Sequence, residues 1–181
     1  MGVTHAVPGD AERSYFWGRL SAFGLVIAAV SCAIDQASKF WLLYDFDLSA
    51  RSPFALTPFI DLDLTFNTGI SYGLFPQQGI IGQSALFAFK IAAVAFLWVW
   101  LTRVPSRLAA LSLGLIIGGA VGNAIDRFHW PGVLDFVLFH IDTAAFTFRW
   151  YIFNLADVAI VAGVIGLLYE SLLRRDAAKA P

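Results

Sequence analysis

The chain has 181 residues, 59% of them hydrophobic and 14% charged, with a formal net charge of −1. Water-soluble domains carry about 25% charged residues, so this is the composition of a chain built for lipid. Basic patches with interleaved aromatics are absent, which argues against a nucleic-acid partner. The single cysteine, Cys32, excludes an internal disulfide and a thiolate metal site.

Four apolar runs reach the roughly 20 residues of helix that a bilayer requires, and no Ser/Gly/Pro-rich linker divides residues 1–181, which read as one integral-membrane domain. The first span covers about residues 17–34, with helix expected to continue through Trp41 to Tyr44. A basic stretch before an apolar run has the form of a signal peptide. Here the helix is expected to run on into Asp35 and to stay in the mature chain. At its outer end Asp35 and Lys39 stand at i and i+4 with the acid first, the better order for a helical ion pair. Alone, that pair reads as a structural clasp.

Residues 45–80 form an exoplasmic segment. Asp61 to Phe66 alternates polar and apolar, the period of a strand with one buried face. Asn67-Thr68-Gly69 supplies a turn, and Ile70 to Phe75 is expected to pair back as a second strand. Pro53, Pro58 and Pro76 exclude one continuous helix. The expectation is a small β-element lying on the outer leaflet. The second span, about residues 83–101, contains Lys90. Two readings of that lysine stay open: a long stem that snorkels to the outer interface, or a buried partner for an aspartate.

The third span, about residues 108–125, ends in GGAVGNAIDR. Its glycines and alanine let another helix backbone approach closely. Asn123, Asp126 and Arg127 stand at i, i+3 and i+4 and share one helical face. Packing accounts for the glycines but not for an amide, a carboxylate and a guanidinium together, so this cluster reads as functional. In the following exoplasmic segment, residues 127–151, Asp135 sits in the apolar run VLDFVLF and reads as an acid in a greasy loop. Burial disfavours its ionised form unless a cation or donors compensate. The fourth span, about residues 152–173, opens with Asn154 and Asp157 at i and i+3 on one face, and Asn67 is placed to add a further amide.

Arg13, Arg19, Arg103, Arg107, Arg174, Arg175 and Lys179 fall on one side of the four spans, and Lys39, Arg51, Arg127 and Arg149 on the other. The excess places both termini in the cytoplasm. Asp35, Asp45, Asp47, Asp61, Asp63, Asp126, Asp135, Asp142 and Asp157 then fall at or beyond the exoplasmic ends. An ionisable residue at membrane depth is a functional-site hypothesis by default. Two that converge can share one proton and activate water against a peptide bond. His5, His129 and His140 show no metal-ligand spacing, so no metal is expected.

Four stretches together carry a resemblance: DQASK at 35–39, FNTGISYGLF at 66–75, GGAVGNAIDR at 118–127 with GVLDF at 132–136, and FNLAD at 153–157. In order, spacing and position they resemble the lipoprotein signal peptidases, the bacterial signal peptidase II family of intramembrane aspartyl proteases. The resemblance implies that Asp135 and Asp157 are the catalytic dyad, with Asp35, Lys39, Asn67, Asn123, Asp126, Arg127 and Asn154 supporting it. It implies a cofactor-free endopeptidase of the bacterial inner membrane, acting at the exoplasmic face and expected to be a monomer. Its partners would be membrane lipid and prolipoproteins, cut on the N-terminal side of a diacylglyceryl-modified lipobox cysteine. One departure is Ser71-Tyr72, where the family often has a small residue and phenylalanine. Residues 138–151 match no motif of that family.

The fold class is therefore a membrane all-α bundle of four transmembrane helices, both ends inside, with the outer β-element. The rival reading is a small proton- or ion-coupled transporter, which also uses intramembrane acids; a third is a non-catalytic scaffold. A transport pathway spreads ionisable groups through its depth, whereas these acids gather at one end.

Overall fold

The computed structural model describes the backbone of residues 16–68 and 80–177 and the side chains of 16–68 and 88–174. The chain runs α1 (Ser21–Phe40), a π-helical continuation (Trp41–Asp45), α2 (Leu48–Arg51), β1 (Phe54–Thr57), β2 (Ile60–Asn67), α3 (Ile80–Leu101), α4 (Arg107–His129), β3 (Val133–Asp142), β4 (Thr147–Arg149) and α5 (Leu155–Ala177).

Among the described residues three helices are long and apolar enough to cross a bilayer: Ser21–Asp45, Arg107–His129 and Leu155–Arg174. The apolar part of α3 that meets the composition test is the shorter Ala88–Leu101. Large apolar side chains on α1 and α5, including Val26, Val30, Val161, Ile165 and Leu168, point outward and uncovered. Exposed apolar surface on this scale marks contact with lipid rather than water.

The helix starting at Ser21 does continue through Tyr44, as the sequence indicates, but its last turn is π-helical. Asp47, one of the residues that tolerates left-handed backbone, then turns the chain at φ 54° into α2.

Small residues set the helix spacing. α4 is the central helix, and a Cβ on Gly114 would lie 2.7 Å from the Gly24 carbonyl oxygen of α1. On Gly118 it would lie 2.5 Å from the Ala28 carbonyl oxygen, and on Gly119 it would collide with the Ala156 carbonyl of α5. Without a hydrophobic drive between helices in lipid, such close backbone contact is what packs them. At the far end from the sheet, the Ser106 hydroxyl caps α4 by accepting from Ala109 N and donates to Glu170 of α5, which Arg174 also holds at 2.6 Å.

The β-element is larger than the sequence indicates. Four antiparallel strands lie in the order β1-β2-β3-β4. The strand read from Asp61 to Phe66 is β2, but its described partners are β1 and β3; residues 70–75 lie outside the described residues, as do Ser71 and Tyr72. The greasy loop around Asp135 is strand β3, and the segment up to residue 149 supplies β4. Its run Val133–Phe136 is buried throughout, which removes the alternation that betrays a half-buried strand. Leu134 and Phe136 join Leu42 and Leu48 in a small core beneath the sheet. Asn67 is the last residue of β2, opposite Val133, rather than part of a free turn.

The glycine contacts generate a direct expectation. Gly118→Val drives a branched side chain into the α1 backbone and should cost about 1–3 kcal/mol as overpacking. A thermal melt of the detergent-solubilised variant should show a lower midpoint; an unchanged midpoint would mean α1 and α4 are not packed this closely.

Candidate active site

The site is built outward from one buried cation. Lys39, at the last turn of α1, is fully buried, and its ammonium donates to Asp35 Oδ2 at 2.7 Å and to Asn123 Oδ1 at 3.3 Å, while Asp126 Oδ2 lies 2.7 Å away. An ammonium has three donors, and here it has three acceptors. Two carboxylates around one ammonium leave the cluster one charge negative, so the carboxylates need further donors. Asp35 Oδ1 accepts from Ala156 N at 2.9 Å, and Asp126 Oδ2 accepts from Leu134 N at 3.0 Å. Gln36 donates to Asp126 Oδ1 at 2.8 Å and to the Gly122 carbonyl at 3.1 Å. Gly122 has to lack a side chain, since a Cβ there would meet Asp35 Oδ2 at 2.6 Å.

Ala156 immediately precedes Asp157, and Leu134 immediately precedes Asp135. Each carboxylate of the Lys39 cluster therefore anchors the backbone one residue before one of the two aspartates.

Amides complete the frame. Asn154 caps α5: its Oδ1 accepts from Asp157 N at 2.9 Å, while Asp157 Oδ2 accepts from Asn154 N at 3.2 Å. This is the reciprocal capping-box arrangement with Asn and Asp in the two roles. The Asn154 amide nitrogen donates to Asp135 Oδ1 at 2.6 Å and to Asn123 Oδ1 at 3.0 Å. Asn123 donates to Asp157 Oδ1 at 2.9 Å, and Asn67 donates to Asp135 Oδ2 at 3.3 Å. One chain of amides thus joins both aspartates to the buried lysine.

Asp135 and Asp157 line a single cavity of about 190 Å³, together with Asn67, Asn123, Arg127 and Lys90. Burial first, and then the nearby Asp157 charge, push the Asp135 carboxyl up to about 6, against the lowering effect of the Asn67 and Asn154 hydrogen bonds. A carboxyl so placed holds its proton into the mildly acidic range, beside a second carboxylate that reaches the same space.

The family described as Signal peptidase (SPase) II matches residues 27–173 of this chain. The chain belongs to the signal peptidase II family. Among its curated relatives, the lipoprotein signal peptidase of Nitrobacter hamburgensis is 57% identical over 158 residues, covering 87% of this chain and 96% of the relative. That of Rhodopseudomonas palustris strain TIE-1 is 52% identical over the same share of each chain. A solved structure described as a bacterial membrane enzyme, determined by the in meso method at 2.3 Å resolution, superposes with a TM-score of 0.71 at 24% identity. It covers 88% of this chain and 92% of its own, and it supports the fold.

Within this signal peptidase II fold every site residue read from the sequence lies in the network or on the cavity wall. Asp35, Lys39 and Asp126 form the buried core, and Asn123 and Asn154 the relay. Asn67 touches Asp135 from the neighbouring strand, and Arg127 reaches the cavity with its Nη1 donating to the Asn123 carbonyl at 2.8 Å. Two placements differ from the sequence reading, and one of the two readings of Lys90 finds no support. Asn123, Asp126 and Arg127 do not act as one patch: Asp126 turns inward to Lys39 while Arg127 faces the cavity. Asn154 precedes α5, which starts at Leu155 rather than at residue 152. Lys90 forms no ion pair with an aspartate among the described residues. Gln36 was missed; its only signal was an amide at the end of an apolar helix, next to Asp35.

Lys39→Met would leave Asp35 and Asp126 buried without their counter-ion. Breaking a buried pair from one side costs roughly 3–5 kcal/mol. The variant should melt well below wild type, and adding Asp35→Asn and Asp126→Asn should recover part of the loss. A lysine variant as heat-stable as wild type would contradict the network.

Proposed function

We propose that Asp135 and Asp157 are the catalytic dyad of this peptidase and act on prolipoproteins whose lipobox cysteine already carries diacylglycerol. As a lipoprotein signal peptidase, the chain cleaves prolipoprotein signal peptides; the bond cut is the one on the N-terminal side of the lipidated cysteine. The observation that carries the assignment is the convergence of both carboxylates on one cavity, each held by amides of the same relay. The chain is a multi-pass protein of the bacterial inner membrane, and we read α3 as its fourth crossing, with both termini cytoplasmic and the site at the exoplasmic face. The basic residues before α1, between α3 and α4 and at the end of α5 support that orientation. So do the exposed Trp41, Tyr44, Trp150 and Tyr151 around the sheet, since such rings gather at the membrane interface. We read the chain as a monomer.

The two acyl chains hold the lipidated cysteine at the outer leaflet, which brings the scissile bond to the depth of the dyad. Holding reactants in this way contributes several kcal/mol to lowering the barrier. Asp157 sits in the first turn of α5, where the helix N-terminus suits negative charge; it serves as the base. Asp135, whose buried carboxyl retains its proton, serves as the acid. Asp157 takes a proton from water, the oxygen adds to the scissile carbonyl carbon, and Asp135 gives its proton to the carbonyl oxygen. The resulting gem-diol collapses as Asp157 passes its proton to the leaving nitrogen and Asp135 recovers one from a diol hydroxyl. The dyad ends as it began.

Asp135→Asn and Asp157→Asn should each lower cleavage of a diacylated prolipoprotein in detergent by about 10²–10⁴. A gel shift of the processed product reads this, and cleavage retained in either folded variant would remove that residue from the dyad.

Activity also depends on one proton being present. As pH rises through about 6, Asp135 in the free enzyme loses it, so kcat/KM should fall towards a slope of about one decade per pH unit. A rate that stays level into the alkaline range would contradict Asp135 as the acid.

A further inference from the structure

Lys90, Ala93, Val94 and Leu97 stand at i, i+3, i+4 and i+7 on α3, one helical face, and all four line the cavity that holds the two aspartates. Lys90 is the polar one of these four. It is half-buried, and among the described residues it makes neither a hydrogen bond nor an ion pair. Another cation, Arg127, stands on the same cavity wall. The lysine lies eleventh in α3, about 15 Å along the axis from Ile80 at 1.5 Å per residue. Its three donors open onto the space that the substrate has to fill.

We infer that Lys90 is a substrate-binding residue whose ammonium donates to a carbonyl oxygen of the lipidated peptide. The inference rests on the reading of this cavity as the cleavage site. Water meets the ammonium while the cavity is open. A lipidated peptide that displaces this water must return acceptors, because a charged donor left unpaired in a closed apolar site is costly. The acceptors that share its cavity, Asp135, Asp157, Asn67 and Asn123, are held by other partners, and none among the described residues bonds the ammonium. Carbonyl oxygens are the acceptors such a substrate brings to this depth, either the ester carbonyls of the diacylglyceryl group or the peptide carbonyls beside the cysteine. The Ala93, Val94 and Leu97 surface below the lysine suits the apolar side chains flanking that cysteine. Lys90 therefore binds the substrate without taking part in proton transfer, and its loss acts on KM.

The test compares full-length wild type, Lys90→Met and Lys90→Arg at fixed detergent mole fraction. One substrate carries the diacyl group and a second carries ether-linked chains with no ester carbonyl. Hydrogen bonds to charged groups imply a rise in KM of roughly ten- to a hundredfold for Lys90→Met on the diacyl substrate, with kcat within about twofold and with Lys90→Arg restoring most of the loss. If the ether substrate raises KM for wild type and Lys90→Met adds no further rise, the acceptor is an ester carbonyl. If Lys90→Met raises KM equally on both substrates, the acceptor is a peptide carbonyl. An unchanged KM in folded Lys90→Met, or an arginine variant as impaired as the methionine one, overturns the inference. Wild type that cleaves neither substrate would instead overturn the reading of the site.

Discussion

The geometry of this protein depends on a single ammonium group with no access to water. Lys39 holds Asp35 of its own helix and Asp126 of α4; the other oxygen of Asp35 grips Ala156 N at the start of α5, and the Asp126 oxygen that faces the lysine also grips Leu134 N at the start of β3. Each grip lies one residue before an aspartate of the proposed dyad. A cation buried at a lipid boundary is tolerable only with its donors filled and its charge answered. Once those conditions are met, the arrangement has little freedom left. The clasp that looks purely structural in sequence works with the backbone pairing of Val137 and Phe153 to fix the distance between strand β3 and helix α5.

The two aspartates differ because their supports differ. Asp157 belongs to a helix N-terminus and is locked by reciprocal hydrogen bonds with Asn154. Asp135 rises from a strand buried on both faces, where amides from Asn67 and Asn154 do not offset the loss of water. Separating the ionisation of two like groups by environment is the general route to an acid and a base from one residue type. It lets a protein work without a metal or a nucleophilic side chain, provided the bond to be cut is delivered to the right depth. In the proposed reaction the lipid on the substrate makes that delivery.

The long apolar helices and their polar ends were legible because periodicity and membrane length are local properties. The i to i+3 and i+4 spacings in α1, α4 and α5 likewise gave the supporting residues their faces. Strand β2 showed itself by alternation. Strand β3 did not, because Val133 to Phe136 is buried on both sides and its partner lies some seventy residues earlier in the chain, Thr65 opposite Asp135. No local pattern reports a pairing at that separation. Residue spacing also left the direction of Asp126 undetermined, since a helical face admits neighbours on either flank; the buried lysine decides it. Gln36 and the backbone donors Leu134 N and Ala156 N were invisible for a similar reason, as their roles exist only once three helices and a strand have met.

The central claim is that one proton resides on the dyad and that Asp135 carries it. Infrared spectroscopy of enzyme with isotope-labelled aspartate, titrated in detergent, observes that proton directly. The account predicts a carboxylic-acid carbonyl band that fades as pH rises through about 6 and is absent from Asp135→Asn. A band that persists in Asp135→Asn and vanishes in Asp157→Asn would contradict it.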